Sequence, residues 1–206
     1  MIALPPAPGA DEHVALALAN SLVTLPGDRV DELGSPEEAT AWLVSHALAP
    51  TETTLLAYCQ SRLTELRNDV RALLSAHVDG TAPPPDVLAG VNRALTKVPS
   101  APLLWHDAER GLHRAPEHPV TQLVEHAMAQ IAEDAAELVT GDQVKRIARC
   151  EAAPCDRFLL RTHARRQWCS TRCGDRVRAA RAYARKRDRS SRSTNEPRTE
   201  GANKVL

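Results

Sequence analysis

The sequence predicts a mainly α fold with a small β component: an α+β body over residues 1–144, then a small four-cysteine module with a basic helix over 145–189. Three observations carry this. Leu56, Cys59, Leu63, Leu66, Val70 and Leu73 recur at spacings of three and four, which draws one apolar stripe along a helix. Aromatic residues make up 3% of a chain that is 43% hydrophobic, so the core has to be built from Leu, Val, Ala and Ile, a composition that suits helices. Four of the five cysteines fall between Cys150 and Cys173.

Along the chain, residues 1–12 read as a loose Pro-containing lead. His13–Leu25 reads as a strand, because Val14, Leu16 and Leu18 alternate with alanines. Leu25-Pro26-Gly27-Asp28 is a turn signal. Ser35-Pro36-Glu37-Glu38 announces a helix running to about Leu48: Ser35 can cap, Pro36 suits the first helical position, and Glu38 lies three residues after the cap. The striped helix spans 52–78, and another is expected over Pro85–Val98 with Leu88, Val91 and Leu95 buried. Leu103–His106 and Gly111–Arg114 are short strands able to pair as a hairpin. Residues 120–139 share a helical apolar face through Val120, Val124, Met128, Ile131, Ala135 and Leu138, closed by Gly141. Val144–Ala148 is a short linker or strand. A basic helix is expected over Asp175–Arg189, and 190–206 is polar enough for a disordered tail.

The formal net charge of zero conceals a segregation. Residues 1–144 hold 8 basic and 20 acidic side chains, or −12, and residues 145–206 hold 18 basic and 6 acidic, or +12. Such asymmetry points to two bodies with different partners, and the basic one would be drawn to polyanions. No segment approaches the roughly 20 apolar residues of a membrane helix. Asp11 and Glu12 precede the first apolar stretch where a signal peptide would carry positive charge, so the chain reads as cytoplasmic, without a membrane partner. In that compartment clustered cysteines bind metal more often than they form disulfides.

The spacing Cys150-x4-Cys155-x13-Cys169-x3-Cys173 has the logic of a structural zinc site. Each close pair places two thiolates on one side of a metal, and the loop brings the pairs together. Four protein ligands leave no open coordination position, so one zinc per chain would hold structure and perform no chemistry. A module this small lacks a core of its own, and metal binding can supply the missing stability. Arg149, Arg165, Arg166 and Arg172 surround the cysteines and favour thiolates. Phe158, Leu159, Leu160 and Trp168 can add a thin apolar layer. The alternatives are free thiols, two disulfides, or His163 in place of one cysteine. Cys59 sits on an apolar stripe and is assigned no role.

Arg165-Arg166-Gln167-Trp168-Cys169-Ser170-Thr171-Arg172-Cys173-Gly174-Asp175-Arg176 resembles the signature of the CGNR zinc finger, with Asp175 where that signature has Asn. Cys150-x4-Cys155 followed by Phe158 resembles its first half. The preceding region is similar to the bacterial ABATE domain through Leu18-Ala19-Asn20-Ser21, Ala41-Trp42-Leu43, Leu66-Arg67 and Val91-Asn92-Arg93-Ala94-Leu95. The resemblance covers about residues 13–187 and implies a stress-induced transcription regulator. Asp175 can still cap the following helix, but it places a negative charge near any phosphate.

Arg178, Arg181 and Arg185 make a cationic ridge, while Val177, Ala180 and Ala184 make a stripe able to dock on the zinc knuckle. With Arg165, Arg166, Arg172, Arg176, Lys186 and Arg187 they are the candidate nucleic-acid contacts, since arginine forks suit phosphates and guanine edges. DNA is the expected partner; RNA or protein interaction is the alternative. Asn20, Trp42, Arg67 and Asn92 are candidates for a pocket taking a small-molecule effector, and a homodimer would give a lone finger more reach. An enzyme is the rival from another class: His106, His113, His118 and His126 lie among Asp107, Glu109, Glu117 and Glu125. No nucleophile elbow, phosphate loop or HExxH motif accompanies them, so no catalytic residue is assigned.

Overall fold

The computed structural model describes residues 5–98, 103–115 and 122–194. The order of elements is α1 (Val14–Asn20), β1 (Leu22–Leu25), β2 (Asp28–Asp31), α2 (Pro36–Ser45), α3 (Ala57–Asp79), α4 (Pro85–Thr96), β3 (Leu103–Asp107), β4 (Gly111–Ala115), α5 (Leu123–Thr140), a 3-10 turn (Val144–Arg146), β5 (Ile147–Arg149), β6 (Phe158–Leu160) and α6 (Thr171–Thr194). The strands form three separate antiparallel pairs, β1–β2, β3–β4 and β5–β6. Helices dominate and the β component is small, as the composition predicts. Among the described residues no helix is long and apolar enough to cross a membrane.

Val14–Asn20 is a helix, and this corrects the strand expected over His13–Leu25. Ala15 to Asn20 are all buried, so the segment has no wet face and its Leu/Ala alternation carries no period to read. Alanine favours the helix. Asp134 anchors its first turn, accepting from the Ala15 backbone N–H at 2.7 Å and sharing a hydrogen bond with His13 Nδ1 at 2.7 Å. Only Leu22–Leu25 is strand. It turns at Gly27, whose φ of 76° suits glycine, into β2 with Leu25 opposite Asp28.

The capping signals for α2 are realised, with Ser35 Oγ accepting from the Glu38 backbone N–H at 3.2 Å. The helix stops at Ser45, short of Leu48, because Ala47 takes a left-handed φ of 55° and the Leu48 N–H bonds back to the Leu43 carbonyl at 2.9 Å. On α3, Leu63, Leu66, Val70 and Leu73 are buried, but Leu56 precedes the helix and is exposed. The buried face of α4 is Val87, Gly90, Val91 and Ala94, one position off the expected one, and Leu88 is exposed. Gly90 lets α4 approach α3: a Cβ there would meet the Asp69 carboxylate. The predicted hairpin forms as β3–β4, with Trp105 opposite His113, and is solvent-exposed along all of β3. On α5, Val124, Met128, Ile131, Ala135 and Leu138 line the core, and Gly141 closes the helix; Val120 lies outside the described residues.

One core joins α1–α5, and Ile147, Phe158 and Leu160 of the β5–β6 ribbon complete it. Alternation does this: Ala148 and Leu159, between those residues, point instead to a second cluster around the cysteines. Residues 5–12 are not the loose lead the sequence suggests. Ala7 is buried in the cysteine cluster, and the Pro8 carbonyl accepts from the Leu160 N–H at 2.8 Å. Gly9 lies against Leu160 so closely that a Cβ would come within 2.7 Å of it.

Candidate metal centre and basic helix

Cys150 follows β5, Cys155 precedes β6, and Cys169 and Cys173 flank the first turn of α6. All four are buried, and their sulfurs lie within 4.8 Å of one another. Cys169 Sγ is 3.7 Å from Cys155 Sγ and 3.7 Å from Cys173 Sγ. A zinc bonded to four thiolates at about 2.3 Å requires sulfur–sulfur edges of about 3.8 Å. The separations therefore fit the metal and are far beyond a disulfide bond of about 2.05 Å. His163 is exposed and outside the cluster, so the all-cysteine set stands. It is the one group of metal-ligating side chains found among the described residues.

The supporting shell is specific. The Cys169 backbone N–H donates to Cys150 Sγ at 3.4 Å, and the Cys150 N–H donates to the Arg157 carbonyl at 2.8 Å. As free thiols, Cys150, Cys155 and Cys169 would titrate against one another through their shared hydrogen bonds. Hydrogen bonds from Cys155 and then Cys169 hold Cys150 far below the ordinary thiol range, whereas the contact with Cys150 pushes Cys169 up to about 11. Zinc would resolve this by taking all four as thiolates, and its role there is to tie β5, β6 and α6 together.

Of the arginines expected around the cysteines, Arg149 turns away to Asp79 at 3.2 Å. Arg157, two residues past Cys155, takes the expected place: it is buried, with Nη1 3.9 Å from Cys169 Sγ. A cation two residues beyond a ligand was the available signal. Ser170, and not Asp175, caps α6, its hydroxyl accepting from the Cys173 N–H at 3.2 Å. Asp175 lies inside the first turns and pairs with Arg178 at 2.6 Å. Arg178 also lies over the Trp168 ring, 5.4 Å from its centroid. Gly174 makes room for this stack, since a Cβ there would come within 2.9 Å of the Trp168 ring and 3.0 Å of the Arg178 guanidinium.

Helix α6 is longer than expected at both ends, spanning Thr171–Thr194; the rest of the expected tail, 195–206, lies outside the described residues. At about 1.5 Å per residue it reaches roughly 36 Å. Val177 alone of the expected stripe packs against the cysteine cluster; Ala180 and Ala184 are exposed, as is every residue from Arg178 to Arg187. Arg181, Arg185 and Arg187 make no ion pair or hydrogen bond among the described residues, and Arg165, Arg172 and Lys186 are likewise exposed. Arg166 and Arg176 are turned to their own module: Arg166 Nε donates to the Trp168 carbonyl at 3.2 Å, and Arg176 donates to the Ala152 carbonyl.

The candidate pocket residues separate. Asn20 and Trp42 line a cleft of about 1020 Å³ between β1–β2, α2 and the finger. Asn92 is exposed on α4, and Arg67 is buried in an ion pair with Asp31. Both amide atoms of Asn20 bind the Phe158 backbone, donating to its carbonyl at 2.9 Å and accepting from its N–H at 2.8 Å, so they fasten body to finger. Arg71 does the same through Asp156 at 2.9 Å. Among the described residues the histidines of the enzyme reading do not converge: His113 and Asp107 pair on the exposed hairpin at 3.5 Å and His126 is buried in α5; Glu117 and His118 lie outside the described residues.

Comparison with known families agrees with this architecture. None of the curated proteins matches the chain. The CGNR zinc finger model matches residues 146–186, the stretch holding the four cysteines and the first part of α6. The ABATE model, whose description is "Putative stress-induced transcription regulator", matches residues 12–142. With its helical body and its four-cysteine knuckle accounted for in that order, the chain belongs to the ABATE family and carries a CGNR zinc finger at its C-terminal side.

Proposed function

We propose that this protein is a transcription regulator that binds duplex DNA through α6, with zinc as the structural clamp at the root of that helix and the body as its regulatory, effector-sensing part. The observation that carries the reading is the exposed stretch Arg178–Arg187. Thr171–Thr194 holds nine basic and two acidic residues, and past the root held by Cys173 and Val177 the stretch Arg178–Arg187 gains nothing from the chain's own core. A rigid root and a cationic shaft suit a polyanionic groove. Arg181, Arg185 and Arg187 are the principal phosphate contacts, with Arg165, Arg172 and Lys186 supporting; Arg166, Arg176 and Arg178 shape the finger.

The test is binding of zinc-loaded full-length protein to labelled duplex DNA, followed by anisotropy across a salt series. Affinity should fall steeply with salt, and replacing Arg181, Arg185 and Arg187 together by Ala should lower the log–log slope by about three. Absence of DNA binding at low salt, or an unchanged slope in the triple variant, would refute the reading. Preference for A-form RNA over duplex DNA would move the function to RNA.

A further inference from the structure

Among the described residues two arginines are buried, Arg67 and Arg157. Arg67 is matched by the Asp31 carboxylate. Arg157, 5% exposed, has no carboxylate paired with it among the described residues. The acidic groups of the finger are engaged elsewhere: Glu151 with Arg161, Asp156 with Arg71 and Asp175 with Arg178. Glu32 is near enough to feel the Arg157 charge, but no ion pair joins them and burial raises the Glu32 carboxyl. A guanidinium stays charged wherever it lies, and a buried charge with no counter-charge is costly.

What Arg157 does touch is the ligand set. Its Nη1 lies 3.9 Å from Cys169 Sγ, the one side-chain hydrogen bond it makes among the described residues. Its backbone N–H is hydrogen-bonded to the Cys155 sulfur, and its carbonyl accepts from the Cys150 N–H at 2.8 Å. One residue thus contacts three of the four cysteines, each through a different group. The other arginines around the cluster are occupied or wet. Arg149 pairs with Asp79, Arg166 and Arg176 donate to backbone carbonyls, and Arg165 and Arg172 are exposed.

Four thiolates around one zinc ion carry a net double negative charge. In a buried cluster that charge lacks solvation just as the guanidinium lacks a partner. Each is the group the other is missing. We infer that Arg157 is the charge-balancing residue of the zinc centre, with its guanidinium offsetting the thiolate charge at Cys169 while its backbone holds Cys150 and Cys155. It is a positioning residue and not a ligand. Removing its charge leaves the thiolate set in place and weakens the hold on the metal.

The experiment is zinc competition against a chelating dye in full-length protein, without DNA, for wild type, Arg157→Lys, Arg157→Gln and Arg157→Met. The two neutral variants should bind zinc about 10- to 100-fold more weakly, the range typical of groups that support metal ligands. Arg157→Lys keeps the charge and should recover most of the loss. A neutral variant that takes up no zinc while Arg157→Lys does would support the assignment, since both replace the same side chain. Wild-type affinity in the neutral variants, or a Lys variant that binds no more tightly than they do, would overturn it. Cobalt gives a second readout that a purely structural role would not move. In cobalt-loaded Arg157→Gln the d–d bands should stay tetrahedral, while the sulfur-to-metal charge-transfer band moves to longer wavelength, because loss of a nearby cation raises the energy of the sulfur electrons. An unmoved charge-transfer band would equally overturn the charge role.

Discussion

The body and the finger solve the same problem of stability by different means. The body buries a continuous set of Leu, Val, Ala and Ile from α1–α5, and no single contact is decisive. The finger's cluster consists of small side chains, Ala7, Val23, Ala148, Ala152 and Leu159, around four sulfurs. So little apolar area cannot offset the entropy of ordering the chain, and the metal has to make up the difference. The two are nonetheless not loosely tethered. Phe158 and Leu160 complete the body's core, and Asn20 and Arg71 bind the finger's β6 region from the body side. The body is therefore packed continuously against the finger from which α6 starts.

The sharpest way to break the comparison is to remove a zinc ligand. Cys169→Ser should abolish stoichiometric zinc and collapse α6 helicity, because zinc supplies on the order of 10 kcal/mol to such modules. Zinc analysis and circular dichroism check this, and a variant retaining full zinc would remove Cys169 from the ligand set. In the body, Ile131→Ala should cost about 2–5 kcal/mol, read as a lower melting temperature with zinc still bound. Asn20→Ala probes the seam. It strands the buried Phe158 N–H and carbonyl and should cost about 1–3 kcal/mol, with the finger's transition separating from the body's in calorimetry. A single cooperative transition in that variant would show that the shared core alone couples them.

Two smaller effects sharpen the body's account. Burial pushes the Asp31 carboxyl up, but hydrogen bonds from Arg67 and the Leu33 N–H, with Arg67 charge, hold it below the ordinary value. A depressed folded-state pKa stabilises above the unfolded value and is lost as pH falls through the folded one. Asp31→Asn should thus flatten the loss of stability below about pH 4 in acid titrations. Ala47→Gly should raise stability by about 0.5 kcal/mol, because a φ of 55° suits glycine better than alanine. Chemical denaturation would show the change, and a loss would mean that unfolded-chain entropy outweighs the strain.

The cysteine site was legible because ligand chemistry demands residue types at short spacings, helix α2 because Ser35, Pro36 and Glu38 stand in capping order, and helices α3 and α5 because their buried faces repeat with the helical period. Helix α1 was not, since burial on every side erases the period. The shift of the α4 face to Val87, Val91 and Ala94 follows from Gly90 docking close to Asp69 on α3, a contact between segments distant in sequence.

From the sequence alone came the fold class, the charge division, the four ligands and the arginine content of the last helix, all local properties of composition and spacing. The tertiary structure decided which arginines are engaged: Arg157 beside the thiolates, Arg166 and Arg176 on the finger's own carbonyls, Arg178 on Trp168, and Arg181, Arg185 and Arg187 exposed to solvent. A guanidinium is identical at every position in a sequence. What it does depends on which carbonyl, ring or sulfur the folded chain brings within its reach.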